Sequence, residues 1–275
     1  MLSISHLTLS YGGRVLLEDV SFDVEPGRII GLVAPNGYGK TTLLKAMAGI
    51  KGARVSGVVD VDGLPANQVA RRRARVFYAP GEGTLLYPGM TVAEHLVMTK
   101  RLWRSDRDIA DVARACKIDG FLKKRVRACS QGMKQQLTLA IAYMTGARYL
   151  LLDEPMNALD PTNVQLNSKI LRELVGRGVG VVMSSHILDN VDQLSDRILF
   201  VKDRGLVMFE SAAVAGGCAA EEPRASEAPP AAGGRHFAAN RASGPDGGMR
   251  AAIQAAPSSA LDSRRALDIY NQLYL

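Results

Sequence analysis

Ile29-Ile30-Gly31-Leu32-Val33-Ala34-Pro35-Asn36-Gly37-Tyr38-Gly39-Lys40-Thr41-Thr42-Leu43-Leu44 is the stretch on which the fold turns. Its first five residues are apolar without alternation, the pattern of a strand covered on both faces. Ala34 to Gly39 are turn-formers, and Leu43, Leu44 and Met47 then recur at helical spacing. Strand, glycine loop and helix therefore follow in order. A loop of this kind offers closely spaced backbone N–H donors, the positive end of a helix dipole and a lysine, which together suit a polyphosphate. The candidate binding residues are Ala34, Pro35, Asn36, Gly37, Tyr38, Gly39, Lys40, Thr41 and Thr42. Lys40 is placed to reach the β- and γ-phosphates, and the Thr41 hydroxyl to meet Mg²⁺. Ala34 stands where the strict pattern has glycine; it costs about 1–2 kcal/mol if that backbone is left-handed and little otherwise. Taken alone, the loop also reads as an ordinary strand-to-helix turn.

Moving outward, Tyr149-Leu150-Leu151-Leu152-Asp153-Glu154 is a second buried strand, ending in two acids. Carboxylates at the C-terminal edge of such a sheet lie where these folds bind ligands, so Asp153 is the candidate Mg²⁺ ligand, directly or through water. Glu154 is the candidate base for an attacking water. By itself the pair also fits a polar turn. A helix from Pro161 behind an Asp160 cap, a strand at Val179 to Met183 and strands around Ile198 and Val207 continue the pattern, so the expected sheet is mainly parallel. Before the glycine loop, residues 2–10 and Val15 to Val24 read as antiparallel strands of a small separate sheet. Between about 92 and 147 the period is helical, with Ile109, Val112, Ala113 and Cys116 in one stripe and Ser105 with Asp108 as a capping pair, which predicts an inserted helical subdomain. The α/β unit is expected over 1–210. An Ala/Gly/Pro-rich linker over 211–257 is expected to be disordered, and Ala266, Ile269, Tyr270, Leu273 and Tyr274 predict a short helix within 258–275.

Together these pieces resemble an ATP-binding-cassette (ABC) ATPase, a P-loop NTPase, from about residue 2 to 210. Cys129-Ser130-Gln131-Gly132-Met133-Lys134-Gln135 is similar to the family signature at Ser130 and Gly132, and its Ser-x-Gly-Met-Lys-Gln form to an exporter-type branch. Asn157-Ala158-Leu159-Asp160 resembles the D-loop, and Ser184-Ser185-His186 the segment carrying the switch histidine. Tyr11, ahead of Gly12-Gly13, stands where the family places an aromatic ring against adenine. The weakest match is the Q-loop, where Gly81 takes the glutamine position and Glu82 beside it is expected to substitute. The resemblance implies ATP and Mg²⁺ as ligands, Glu154 and His186 as catalytic residues, and Ser130, Gly132 and Asp160 as nucleotide-contacting. It also implies a head-to-tail pair of cassettes in which the Ser130 loop meets the γ-phosphate held by the opposite subunit, and a separate integral membrane permease as partner. Two other readings stay open: a soluble cassette acting on ribosomes or DNA, and a degenerate cassette that binds ATP without hydrolysing it well.

The bulk properties agree with a globular chain. At 275 residues and 47% hydrophobic content there is material for a substantial core, while the longest apolar runs fall far short of the roughly 20 residues that cross a bilayer. The start, Met1-Leu2-Ser3-Ile4-Ser5-His6, lacks a secretory pattern, and three cysteines in no CxxC pair fit a reducing cytosol, so a cytoplasmic location at the membrane face is expected. The net charge of +7 comes in short clusters such as Arg71-Arg72-Arg73, which read as a solvated face or as one near anionic headgroups; no nucleic-acid partner is expected.

Overall fold

The computed structural model describes residues 1–81, 85–157, 159–186, 188–211 and 266–274. The strand-loop-helix unit forms as its pattern requires: β3 (Ile29–Val33) is buried at every position and α1 (Lys40–Met47) follows the loop. Along β3 the side chains alternate between two cores. Ile29 and Val33 join one, Ile30 and Leu32 the other. Both faces are covered, so an unbroken apolar run satisfies the strand's two-residue period without a polar position.

β3 lies inside a six-stranded sheet of order β5-β6-β7-β3-β8-β9, made of β5 (Val76–Ala79), β6 (Tyr149–Asp153), β7 (Gly180–Ser185), β8 (Arg197–Lys202) and β9 (Gly205–Glu210). Neighbours are parallel except for β9, which returns antiparallel on β8. The mainly parallel sheet is therefore present. One face carries α1 and a three-stranded antiparallel sheet of order β2-β1-β4, built from β1 (Leu2–Tyr11), β2 (Arg14–Val24) and β4 (Arg54–Val61). β4, and α2 (Val69–Arg73) after it, are additions that the periodicity does not announce.

The other face is covered by helices. α3 (Val92–Trp103) starts in a capping box: the Glu94 amide donates to the Thr91 hydroxyl (3.2 Å) and the Thr91 amide donates to the Glu94 carboxylate (2.6 Å). α4 (Ile109–Ala115) buries Val112 and Ala113 of the expected stripe. Its cap differs from the expected Ser105/Asp108 pair. Asp108 is itself the N-cap and accepts from the Asp111 amide (3.1 Å), while Ser105 lies too far ahead of the helix and accepts instead from the Arg107 amide (3.3 Å). α5 (Gln131–Thr145) and α6 (Pro161–Gly176) pack under the sheet, α6 opening on an Asp160 cap with Pro161 in its first turn. α7 (Leu188–Leu194) lies against β3, and α8 (Ala266–Tyr274) packs on α7 and β8, burying Ala266 and Ile269. The expected linker over 211–257 lies outside the described residues beyond Ser211, as does Glu82.

Candidate nucleotide site

Register assembles the site. β3, β7 and β6 are adjacent and parallel, and Ser184 pairs with Leu32 on one side and with Asp153 on the other. The strand ends are therefore level, and the segments leaving them meet at one sheet edge: the glycine loop after β3, Asp153-Glu154 at the end of β6, and Ser185-His186 at the end of β7. They surround a cavity of about 750 Å³ lined by Tyr11, Asn36, Gly37, Gly39, Lys40, Thr41 and Thr42 on one side and by Tyr78, Gly81, Asp153, Glu154, Asn157 and His186 on the other.

Within the loop, Gly37 and Gly39 take φ of 85° and 95°, where a Cβ would be strained; Gly39 is the N-cap of α1 and no side chain caps the helix. The first amides of α1 are left for an anion. Ala34 is not among the left-handed residues, so the departure from glycine costs little backbone strain. Lys40 is 7% exposed, and its ammonium donates to the Ala34 carbonyl (2.6 Å). Burial lowers its pKa, against an opposing pull from Glu154 and Asp153.

Asp153 is held from three directions. Ser184, fully buried, donates its hydroxyl to Oδ1 (2.6 Å), while Thr41 (2.7 Å) and Tyr78 (3.2 Å) donate theirs to Oδ2. Burial and then the Asp153 charge push the Tyr78 phenol above its ordinary value, so it stays a donor. Next along the chain, Glu154 sits at φ 52°, a left-handed conformation uncommon for a non-glycine residue. Its amide donates to Ser184 Oγ (3.0 Å), its carbonyl accepts from Gln135 Nε2 (3.2 Å) and the Asn157 amide (3.1 Å), and its carboxylate Oε2 lies 2.6 Å from His186 Nδ1.

Thus Tyr11, the glycine loop, Asp153, Glu154 and His186 come together. Ser130, Gly132 and Asp160 do not line this cavity. Ser130 caps α5, accepting from the Met133 amide (3.2 Å), and Asp160 caps α6, accepting from the Asn163 amide (3.0 Å). Gly81 lines the cavity with no side chain, and a Cβ there would stand 2.5 Å from the Asp153 carbonyl. Ser184, Tyr78 and Gln135 stand in the sequence only as parts of motifs or strands, with no role of their own. The pairing of Ser184 with Asp153 across parallel strands is the signal that identifies the first, and no single-sequence pattern exposes the others.

The donor set suits a magnesium triphosphate. Thr41 and Asp153 offer hard oxygens side by side, and no cluster of three His, Cys, Asp or Glu exists among the described residues. Mg²⁺ commonly takes one or two protein oxygens and completes its shell with phosphate and water.

A mainly parallel sheet in which a glycine loop ending in Lys40-Thr41 opens a helix, with an acid at the end of a nearby strand, defines the P-loop nucleotide-binding class. Comparison with known proteins narrows it. Residues 17–157 match the ABC transporter family. The lantibiotic transport ATP-binding protein SrtF of Streptococcus pyogenes is 32% identical over 209 residues, covering 76% of this chain and 90% of that protein. The Nod factor export ATP-binding protein I of Rhizobium johnstonii is 31% identical over 202 residues, covering 72% of this chain and 65% of that protein. In fold the chain is similar to an ATP-binding cassette solved as a dimer in a post-hydrolysis state with ADP and Pi (TM-score 0.67, 19% identity, 76% of this chain and 98% of that one). The chain belongs to the ABC transporter family, as an ATP-binding subunit.

Proposed function

We propose that this subunit binds MgATP in the cavity between the glycine loop and Glu154, hydrolyses it, and so energises a separate membrane permease in export. The observation that carries the reading is the convergence of Lys40, Thr41, Asp153, Glu154 and His186 on one cavity whose volume of about 750 Å³ suits a nucleotide. Export is supported by the similarity to proteins named for lantibiotic transport and Nod factor export. Among the described residues no helix is long and apolar enough to cross a membrane, in keeping with a permease on another chain.

In this mechanism the loop amides and Lys40 hold the triphosphate, and Tyr11, 61% exposed at the end of β1, offers a ring to the base. Thr41 and Asp153 hold Mg²⁺, which when bound neutralises charge on the phosphates. Glu154 takes a proton from the attacking water, and its carboxylate lies 2.6 Å from His186 Nδ1; with both ring nitrogens carrying hydrogen, His186 donates from Nδ1 to Glu154 and from Nε2 to the γ-phosphate. Ser130, the N-cap of α5, and Gly132 in its first turn lie outside their own chain's cavity, at a helix N-terminus that suits the phosphate of a second cassette. A pair of cassettes closes over two nucleotides, and hydrolysis loosens it.

Replacing Glu154 by Gln tests this. Turnover of MgATP is expected to fall by roughly 10² or more while nucleotide binding persists. Equal steady-state rates in the wild type and Glu154→Gln would refute the assignment of the base.

A further inference from the structure

Tyr78 is not part of the glycine loop, the acid pair or the histidine segment, yet its hydroxyl lies 3.2 Å from Asp153 Oδ2 inside the same cavity. It reaches there from an edge. β5 is the outer strand of the large sheet, and Tyr78 pairs with Leu151, two residues before Asp153. Its ring packs with the core cluster on the α1 side, so the phenol runs forward along that face to the end of β6. Thr41 at the start of α1 donates to the same carboxylate oxygen, at 2.7 Å.

The two donors on Oδ2 are not equivalent once a cation is present. Thr41 is itself a candidate ligand, and an oxygen directed at a metal no longer holds Asp153 by the same bond. Ser184 restrains Oδ1 from β7. On the β5 side, position 81 has no side chain to offer the carboxylate, and a Cβ there would stand 2.5 Å from the Asp153 carbonyl. Among the described residues, Tyr78 is the side chain that donates to Oδ2 from the β5 side of the sheet.

We propose that Tyr78 is a positioning residue for Mg²⁺: its hydroxyl fixes the orientation of the Asp153 carboxylate from outside the metal's own ligand set. This rests on the MgATP reading of the site. Groups that orient a ligating carboxylate typically change metal affinity by about 10- to 100-fold when removed, whereas they touch the nucleotide only through the metal.

The test is Tyr78→Phe in the full chain, which keeps the ring and removes one oxygen. Binding of a fluorescent ATP analogue is followed during a Mg²⁺ titration and again in EDTA, with thermal unfolding recorded alongside. The expected result is a Mg²⁺ midpoint raised about 10-fold, unchanged analogue affinity in EDTA, and an unfolding temperature close to that of the wild type. Coincident Mg²⁺ midpoints overturn the proposal, and so does an equal loss of affinity with and without Mg²⁺, since that marks a packing role. If wild-type protein binds no analogue even with Mg²⁺, the proposed function itself fails; if wild type binds and Tyr78→Phe matches it, only the role of Tyr78 does.

Discussion

At the scale of single residues, the site shows which departures from a motif matter. Ala34 replaces a glycine without taking a left-handed backbone, so the loop keeps its shape. Gly81 is the reverse case, a glycine that its surroundings demand. Gly81→Ala would drive a methyl group against the Asp153 carbonyl, and is expected to cost about 1–3 kcal/mol of stability in chemical denaturation and to slow ATP turnover by displacing Asp153 and Glu154. Wild-type stability in that variant would show that the 79–81 segment yields easily. Lys40, Thr41, Asp153, Glu154 and His186 are all legible in the sequence because each belongs to a contiguous motif. Ser184, Tyr78 and Gln135 gain their parts only through strand register and packing, and neighbouring sequence carries no trace of that.

At the scale of elements, legibility tracks burial. β3 and β6 are buried throughout and are plain as apolar runs, whereas β4 is exposed at Arg54 through Val58 and shows no clean alternation, and α2 buries no residue at all. The stripe of α8 announces a helix, but not where it docks. Tyr274 donates its hydroxyl to the Val201 carbonyl, and its ring meets that of Tyr38 in the glycine loop edge-on, with centroids 5.9 Å apart. Ile269 is 4% exposed in that interface. Ile269→Asp is expected to release α8 without unfolding the sheet, because an unpaired carboxylate does not stay buried. Hydrogen exchange should then speed up in α7 and the glycine loop and stay slow in β6 and β7; unchanged exchange in α7 would mean that α8 contributes nothing to its protection.

At the scale of the molecule, one carboxylate ties the two sheets together. Asp62 follows β4, accepts from the Met1 amino group (2.7 Å), Arg75 (2.7 Å) and the Tyr149 hydroxyl (2.6 Å), and has Arg148 at 3.5 Å. Burial opposes its ionisation, but the hydrogen bonds from the amino terminus and Tyr149, with the charges of the terminus and Arg148, outweigh burial and hold its pKa below the usual aspartate value. A group shifted down on folding stabilises above its unfolded pKa, and that contribution fades as pH falls through the folded value. Asp62→Asn is therefore expected to cost about 2 kcal/mol near pH 7, with the gap to wild type closing below about pH 4. A gap independent of pH would show that the charge of Asp62 is not what joins the sheets.

Every role assigned to the cavity depends on Lys40 and the loop amides clasping a magnesium triphosphate. Titration calorimetry of MgATP into the purified chain, wild type against Lys40→Ala, tests it most directly. Saturable binding is expected from the wild type, with a loss of about 100-fold or more in the variant, the magnitude of a lost charge-assisted contact. No heat of binding from the wild type, or the same affinity in both proteins, would contradict it.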